Sequence, residues 1–268
     1  MTISPGFRMV LRISTLLALV VIYAPLMLVV VNSFNKSQSF AWPPTGFTLE
    51  WWRRAADSSG VREAVLTSVQ VALLATAVAL VLGTMAAMAL QRYRFFGRDA
   101  VSLLIILPIA LPGIVTGIAL NNAFRTVFGL DLGFITIVIA HATFCIVTVF
   151  NNVLARLRRV GVNLEEASAD LGASTLTTFR LVTFPMMRSA LIAGGLLAFA
   201  LSFDEIIVTT FTAGAQQQTL PIWIFNNLFR PNQAPVVNVV AVVLILLSVI
   251  PIWISQRLAG ATEGLAGR

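Results

Sequence analysis

Six apolar runs, separated by polar segments, restrict the possible folds of this chain more than any other feature of its sequence. About 20 residues of α-helix cross a hydrocarbon core of roughly 30 Å. Each run is close to that length. The runs cover residues 13–31, 65–90, 100–120, 134–154, 190–211 and 236–254. The sequence therefore predicts an all-α membrane protein with six transmembrane helices.

Composition supports this class without reference to any motif. Hydrophobic residues make up 58% of the chain and charged residues 11%, and the mean hydropathy is +0.90, values far from those of a soluble domain. The formal net charge of +7 would suit a nucleic-acid-binding protein. The arginines, however, lie beside the apolar runs and not on one amphipathic face, so we interpret them as topology signals and expect no nucleic acid partner. One cysteine, Cys145, excludes an intramolecular disulfide.

The distribution of basic residues predicts the orientation in the membrane. The N-terminus, the turn at 92–98, the loop at 156–188 and the C-terminus together hold twelve Lys and Arg residues, whereas the opposite side holds six. Loops rich in Lys and Arg stay in the cytoplasm. We therefore expect both termini and the 156–188 loop on the cytoplasmic side of the cell inner membrane.

We expect three regions along the chain. Residues 1–61 would form the first transmembrane helix and an external segment whose tryptophans suit the membrane interface, with a ligand-binding role as the alternative. Residues 62–258 would form a core that includes the polar loop at 156–188. Residues 259–268 would form a flexible tail.

Within that loop, the polar-rich stretch 163–185 predicts a helical hairpin between two spans. A capping box at its start predicts one short helix. Gly172 would end this helix, and Ser174 or Thr175 would cap a second one. Pro185 would prevent a simple continuation of the second helix into the next apolar run.

The spacing inside the hairpin is specific. Glu-Ala-Ser at 166–168 is followed, after three residues, by Gly172 and, after nine more, by Val-Thr-Phe-Pro at 182–185. This pattern resembles the EAA loop of permease subunits of ATP-binding-cassette (ABC) importers, with Ser, Val and Phe as the departures. In that family the loop docks in a groove of the cytoplasmic ATPase. The resemblance implies that the ATPase-coupling residues are Glu165, Glu166, Ala167, Gly172, Phe179 and Pro185.

The third apolar run contains helix-distorting residues. Pro108, Pro112 and Gly113 lie within it. A proline removes a backbone hydrogen bond, and in lipid the freed carbonyl must find a partner in protein or in a wet cavity. The run is therefore expected to be a kinked packing helix or a moving gate, and the two interpretations are compatible.

Two adjacent carboxylates, Asp204 and Glu205, fall inside the fifth run. Isolated carboxylates are costly in hydrocarbon, so such residues normally face a cavity, pair with a cation or are protonated. The pair is expected either to border a substrate pathway or to form an internal salt bridge or helix–helix hydrogen bonds. His141, the one histidine, is expected at a similar depth on the fourth run. A carboxylate–imidazole contact is feasible there, and a satisfied core histidine is the alternative.

Over roughly residues 10–256 the chain resembles the spermidine/putrescine branch of the same permease family, in particular at the acidic pair and at FNNV, residues 150–153. The resemblance implies the type I ABC importer permease fold and transport of a polyamine such as spermidine or putrescine. It leaves open which polyamine is carried. The candidate pathway residues are Asp204, Glu205, His141, Asn121 and Asn122.

The same resemblance implies a set of partners. One permease core supplies half of a translocation pathway, so we expect a homologous second permease subunit in the lipid membrane, two cytoplasmic ATPase subunits and an extracytoplasmic substrate-binding protein. The chain has no G-x-x-x-x-G-K-[S/T] sequence and no H-E-x-x-H or G-x-S-x-G. ATP and Mg are therefore expected on the ATPase subunits, and this chain is expected to hold no cofactor, no metal and no catalytic residue.

Three other functions were weighed against polyamine import. The substrate of an ABC importer could be another small organic solute, such as an amino acid-like compound, an opine or a phosphonate. A stand-alone secondary transporter or channel would have no use for a docking hairpin. An intramembrane enzyme would need two carboxylates that act together, and adjacent side chains on one helix diverge by about 100°.

Overall fold

The computed structural model describes residues 4–38, 42–161, 163–230 and 232–263. Within these residues the chain forms twelve α-helices, two π-helical turns and no β-strand. In chain order the α-helices are α1 (Pro5–Phe34), α2 (Glu50–Asp57), α3 (Ser59–Arg92), α4 (Arg98–Ala110), α5 (Gly113–Asn122), α6 (Phe134–Val160), α7 (Asn163–Asp170), α8 (Thr175–Thr178), α9 (Phe184–Phe203), α10 (Ile207–Thr212), α11 (Leu220–Asn227) and α12 (Ala234–Glu263). The π-helical turns are Ala123–Val127 and Phe179–Thr183.

All six predicted apolar runs are helical, which confirms the all-α membrane class. Among the described residues, four helices are long and apolar enough to cross a membrane, and the bent pair α4–α5 makes a fifth if it counts as one span. The sixth run is α12, whose apolar part Ala234–Ile250 is shorter. Of the predicted flexible tail, residues 264–268 lie outside the described residues. The helix α12 extends to Glu263, and the flexibility of the tail stays a prediction.

The chain divides into two compact units: Met1–Arg62 with Trp223–Ile245, and Glu63–Ile222 with Leu246–Arg268. In the first unit, the external segment predicted to lie at the interface returns to the end of α1. The Trp51 indole N–H there donates to the Asn35 carbonyl oxygen at 2.8 Å. Within this segment, helix α2 buries its first tryptophan, Trp51, against the end of the first span.

The core of the second unit is built where α3 and α9 pack against α6. Small residues allow the close approach. A Cβ added at Gly83 of α3 would lie 2.9 Å from the Ile146 carbonyl oxygen of α6, and one added at Gly194 of α9 would lie 3.4 Å from the Cα of Val149. Large side chains fill the rest of the core, among them the fully buried Phe150. This packed core positions the two interrupted spans.

Two of the predicted spans are interrupted. The third run forms α4 and α5, bent by 105° at Leu111–Pro112, because Pro112 cannot donate the hydrogen bond that would continue α4. The fifth run was expected as one helix over residues 190–211, and this is wrong. Helix α9 begins earlier, at Phe184, and ends at Phe203, and α10 starts only at Ile207. Both interruptions bring polar backbone into the second unit.

Candidate functional site

The acidic pair occupies the interruption between α9 and α10. Asp204 is the C-cap residue of α9, and its backbone N–H donates to the Ala200 carbonyl oxygen. Glu205 follows outside regular helix. The two carboxylates therefore do not follow helical geometry, as a continuous fifth span would have required. The angle of about 100° expected between adjacent side chains of one helix therefore does not describe this pair.

The two carboxylates differ in their surroundings. Glu205 is half-buried, and its Oε1 accepts a hydrogen bond from the Val208 backbone N–H at 2.9 Å, in the first turn of α10. Asp204 is exposed, and its carboxylate makes no hydrogen bond or ion pair with any other described residue. Neither carboxylate pairs with a Lys, Arg or His side chain within the described part of the chain. Glu205 thus caps a helix, whereas Asp204 is available.

His141 lies next to the pair but does not contact either carboxylate. Its ring is fully buried, with Nδ1 2.7 Å from the Ser202 hydroxyl and Nε2 2.8 Å from the Thr209 hydroxyl. The Thr209 hydroxyl in turn donates to the Glu205 carbonyl oxygen at 2.9 Å. The geometry is that of a satisfied core histidine, the alternative expected from the sequence.

The far end of α10 is held by α5 and α6. The side-chain amide of Asn121 donates to the Phe211 carbonyl oxygen at 2.5 Å, and the Thr136 hydroxyl donates to the Thr212 carbonyl oxygen at 2.8 Å. These are carbonyls at a helix C-terminus, which have no partner within the helix. Asn122, the other predicted asparagine, is exposed.

Helix α5 approaches α10 at glycines. A Cβ at Gly113 would lie 3.5 Å from the Ile207 side chain, and one at Gly117 would lie 2.7 Å from the Phe211 ring. Gly113 also follows the bend at Pro112, while Pro108 lies within α4. The predicted gate or kink residues are therefore at or near the bend, and α5 and α10, the second helices of the two interrupted spans, pack on each other.

The predicted hairpin is present at Asn163–Pro185. Helix α7 ends at Asp170, and Gly172 has a φ of +79°, a left-handed conformation that glycine adopts without a Cβ penalty. Ser174 caps α8, because its hydroxyl accepts from the Thr177 N–H at 3.3 Å. Helix α7 begins at Asn163, and the preceding residue, 162, lies outside the described residues. The capping box stays a prediction.

Pro185 was predicted to prevent a simple continuation of the second helix into the next apolar run, and the continuation that the structure shows includes an irregular turn. The chain is helical without a break over Thr175–Phe203, through the π-helical turn Phe179–Thr183. Proline normally disrupts a helix because it lacks an N–H and its ring clashes with the preceding turn. Here the Phe184 N–H bonds the carbonyl oxygen of Phe179, five residues back, and this wider turn accommodates Pro185 near the start of α9.

Glu165 joins the hairpin to the body of the second unit. Its Oε2 lies 2.8 Å from an Arg92 guanidinium nitrogen at the end of α3, and its Oε1 accepts from the Thr183 hydroxyl at 2.5 Å. Ser168 and Thr178 connect the two helices of the hairpin by a hydroxyl contact of 2.9 Å. Phe179 is half-buried, whereas Glu166 and Ala167 are exposed.

The tip of the hairpin exposes leucines. Leu171 is 89% exposed and Leu176 is 76% exposed, and neither is among the ATPase-coupling residues that the family resemblance implied. Sequence reasoning also missed Arg92, Ser202 and Thr209. The leucines could have been found as large apolar residues beside a helix-ending glycine. The other three act through long-range contacts that leave no local pattern.

Taken together, the fold and these two segments define a helical membrane subunit with a structured loop and an interrupted span. A family model described as "Binding-protein-dependent transport system inner membrane component" matches residues 79–263. The chain belongs to this family of permease components.

Curated relatives cover most of the chain. It is 35% identical over 236 residues to the "Spermidine/putrescine transport system permease protein PotC" of Haemophilus influenzae, which covers 88% of this chain and 90% of that protein. It is 34% identical over 237 residues to the "Putrescine transport system permease protein PotI" of Escherichia coli, covering 86% of this chain and 83% of that protein. These relatives are transport components and not enzymes.

Among solved structures, the fold is similar to a chain of a bacterial ABC transporter "involved in the import of the acidic polysaccharide alginate". The TM-score is 0.71, with 96% of this chain and 99% of that chain covered. At 17% identity this likeness concerns the fold alone. It confirms the ABC importer permease fold predicted from the sequence.

Proposed function

We propose that this chain is the permease subunit of an ABC importer that carries a polyamine such as spermidine or putrescine across the inner membrane. A homologous second permease would complete the translocation pathway. Two cytoplasmic ATPase subunits, which bind ATP and Mg, would dock on the hairpin, and an extracytoplasmic binding protein would deliver the substrate. Both chain termini would be cytoplasmic, as the excess of basic residues indicates.

The observation that carries the proposed substrate is the carboxylate of Asp204, which has no partner among the described residues and lies at the interruption of a span. A polyamine is hydrated and cationic, so a low-dielectric passage must replace its water with negative groups. Asp204 sits at the C-terminus of α9, where the helix dipole also favours a cation. The names of the PotC and PotI relatives support the same substrate class.

The geometry assigns different roles to the two carboxylates. Glu205 bonds the Val208 N–H and lies at the positive N-terminal end of α10, so part of its charge is already compensated. Asp204 has no such partner among the described residues. Asp204 would therefore contact the substrate cation. Glu205 would add to the negative electrostatic potential of the site while its hydrogen bond holds the start of α10 in place.

Coupling to ATP hydrolysis would pass through the hairpin. Its exposed leucines offer an apolar surface to a soluble partner, and Glu165 connects that surface to α3 and to the helix that continues into α9. Movement of the hairpin would be transmitted along α9 toward the acidic interruption. Alternating access would follow from two arrangements of the spans whose populations ATP binding shifts.

The test replaces one carboxylate at a time in the assembled transporter. Asp204→Asn should reduce putrescine uptake by roughly tenfold or more, because it removes the uncompensated charge while it keeps size. Basal ATP hydrolysis and subunit assembly should be unchanged. Glu205→Gln should reduce uptake less, and it should lower thermal stability because it weakens the cap of α10.

Uptake, assembly and melting temperature are measured on both variants. Loss of assembly in Asp204→Asn would show that the residue is structural. Unimpaired polyamine uptake in both variants would remove the reason for assigning a cationic substrate to this site.

A further inference from the structure

His141 connects the two arms of the interrupted span on either side of the acidic pair. Ser202 lies in α9, two residues before Asp204, and Thr209 lies in α10, four residues after Glu205. The imidazole touches both hydroxyls, at 2.7 Å and 2.8 Å, from a third helix, α6. One ring thus fixes the distance between two helix ends that share no continuous backbone hydrogen bonding.

The hydrogen bonds favour one arrangement of the protons. The Thr209 hydroxyl has one hydrogen, which it donates to the Glu205 carbonyl oxygen at 2.9 Å. We therefore assign a hydrogen to His141 Nε2, which donates it to the Thr209 oxygen. A neutral imidazole with a hydrogen on Nε2 has a bare Nδ1, which accepts from the Ser202 hydroxyl. In this chain of hydrogen bonds, Ser202, His141 and Thr209 each donate their one hydrogen, and the last acceptor is the backbone carbonyl of Glu205.

We propose that His141 is a positioning residue: as a neutral ring it clasps α9 to α10 and thereby holds Asp204 and Glu205 in the geometry that receives the substrate cation. The cation in this statement rests on the proposed function, whereas the clasp itself does not. In this role His141 carries no proton for transport and makes no contact with the substrate. It acts through Ser202 and Thr209.

Two substitutions of His141 separate hydrogen bonding from volume and charge. His141→Leu fills the space but removes both hydrogen bonds. His141→Gln keeps a carbonyl oxygen that can accept from Ser202 and an amide N–H that can donate to Thr209, with no titratable group. We expect His141→Leu to raise the KM for putrescine roughly tenfold through misplacement of the carboxylates, and His141→Gln to restore most of it.

A neighbouring pair of threonines supplies the matched control. Thr209→Val removes the hydroxyl that His141 binds, whereas Thr210→Val removes a hydroxyl that bonds only the Ile206 carbonyl oxygen in its own helix. Both hydroxyls bond a carbonyl four residues back, but Thr209 is fully buried and linked to His141, whereas Thr210 is exposed. Thr209→Val should raise the KM as His141→Leu does, and Thr210→Val should not. This pair decides the question even if His141→Leu fails to assemble.

A second readout needs no substrate. Ile206→Cys, in a Cys145→Ala background, places a thiol at the half-buried interruption between the arms. In the assembled complex, its rate of reaction with N-ethylmaleimide should rise several-fold with His141→Leu or Thr209→Val. It should stay unchanged with His141→Gln or Thr210→Val.

The outcomes distinguish the clasp from the substrate assignment. If the native complex carries no polyamine but the thiol rates follow this order, the proposed function fails and the clasp stands. Equal defects in His141→Gln and His141→Leu would show that the ring itself matters and would overturn the clasp. Equal effects of Thr209→Val and Thr210→Val on KM and thiol rate would overturn it as well.

Discussion

The hairpin at Asn163–Pro185 and the short helix α10 are both small helical segments of the second unit, but they are held in opposite ways. The hairpin turns Leu171 and Leu176 outward and joins α3 through the ion pair of Glu165 with Arg92. Helix α10 is bound by side chains at both ends, from residues that lie 68 to 90 positions away in the chain.

This difference indicates that the two segments have different functions. A segment whose apolar side chains face outward is completed by another molecule, so its conformation must be stable on its own through caps and a glycine turn. A segment whose terminal groups are bonded by side chains of its own protein is built to keep a geometry. The first fits a contact with a motor subunit, and the second fits a fixed site within the pathway. The predictions below test whether the two segments respond differently.

The largest effect is expected at the turn of the hairpin. Gly172→Pro should abolish transport and transport-linked ATP hydrolysis, because proline fixes φ near −65° at a residue whose φ is +79°. The protein should still insert in the membrane, since the spans are unchanged. Gly172→Asn is the matched control, because asparagine tolerates the left-handed conformation and nothing lies within 4 Å of an added Cβ there.

ATP hydrolysis and uptake are measured on complexes with equal amounts of each variant. Normal uptake in a well-assembled Gly172→Pro complex would show that the hairpin does not couple the permease to the ATPase.

A smaller effect is expected at the hairpin surface. Leu171→Ser should weaken capture of the ATPase subunits by roughly tenfold, the usual result of removing an apolar anchor worth about 1–2 kcal/mol. Leu171 is 89% exposed, so the substitution should leave the melting temperature of the permease itself unchanged. Binding is measured by titration of the ATPase onto the purified permease complex. A drop in permease stability with no change in binding would contradict an outward-facing docking surface.

The smallest effect distinguishes the two asparagines at the end of α5. Asn121→Ala should destabilise the permease by about 1 kcal/mol, because it leaves the Phe211 carbonyl without its partner. Asn122→Ala, at the adjacent exposed position, should change stability by less than about 0.5 kcal/mol. Thermal unfolding in detergent measures both. Equal changes in melting temperature for the two variants would show that the hydrogen bond from Asn121 of α5 does not stabilise α10.

The two segments also differ in how far the sequence predicted them. The hairpin was predictable because its signals are local: the glycine turn and the serine cap lie within a few residues of the helix ends they form. Pro185 indicated an irregularity before the next span, but the sequence did not show that a π-helical turn keeps the chain helical there. Local propensity carries no information about that adjustment.

The interruption at Asp204 was only half predictable. The sequence showed two carboxylates in an apolar run. Because a charged group is costly in hydrocarbon, their presence indicated a cavity, a pairing cation or protonation. It did not show that the helix stops there, because neither proline nor glycine occurs between Phe203 and Ile207. The break is stabilised by His141, Ser202 and Thr209, whose proximity arises from the packing of α6 against α9.

A transport measurement in a reconstituted system tests whether this chain, with its partners, imports a polyamine. The permease pair, the ATPase and the binding protein are reconstituted in proteoliposomes, and uptake of radiolabelled putrescine and spermidine is followed with and without ATP. We expect ATP-dependent accumulation that an unlabelled polyamine blocks and a phosphonate does not. ATP-dependent accumulation of a neutral or anionic solute, with no uptake of either polyamine, would contradict it.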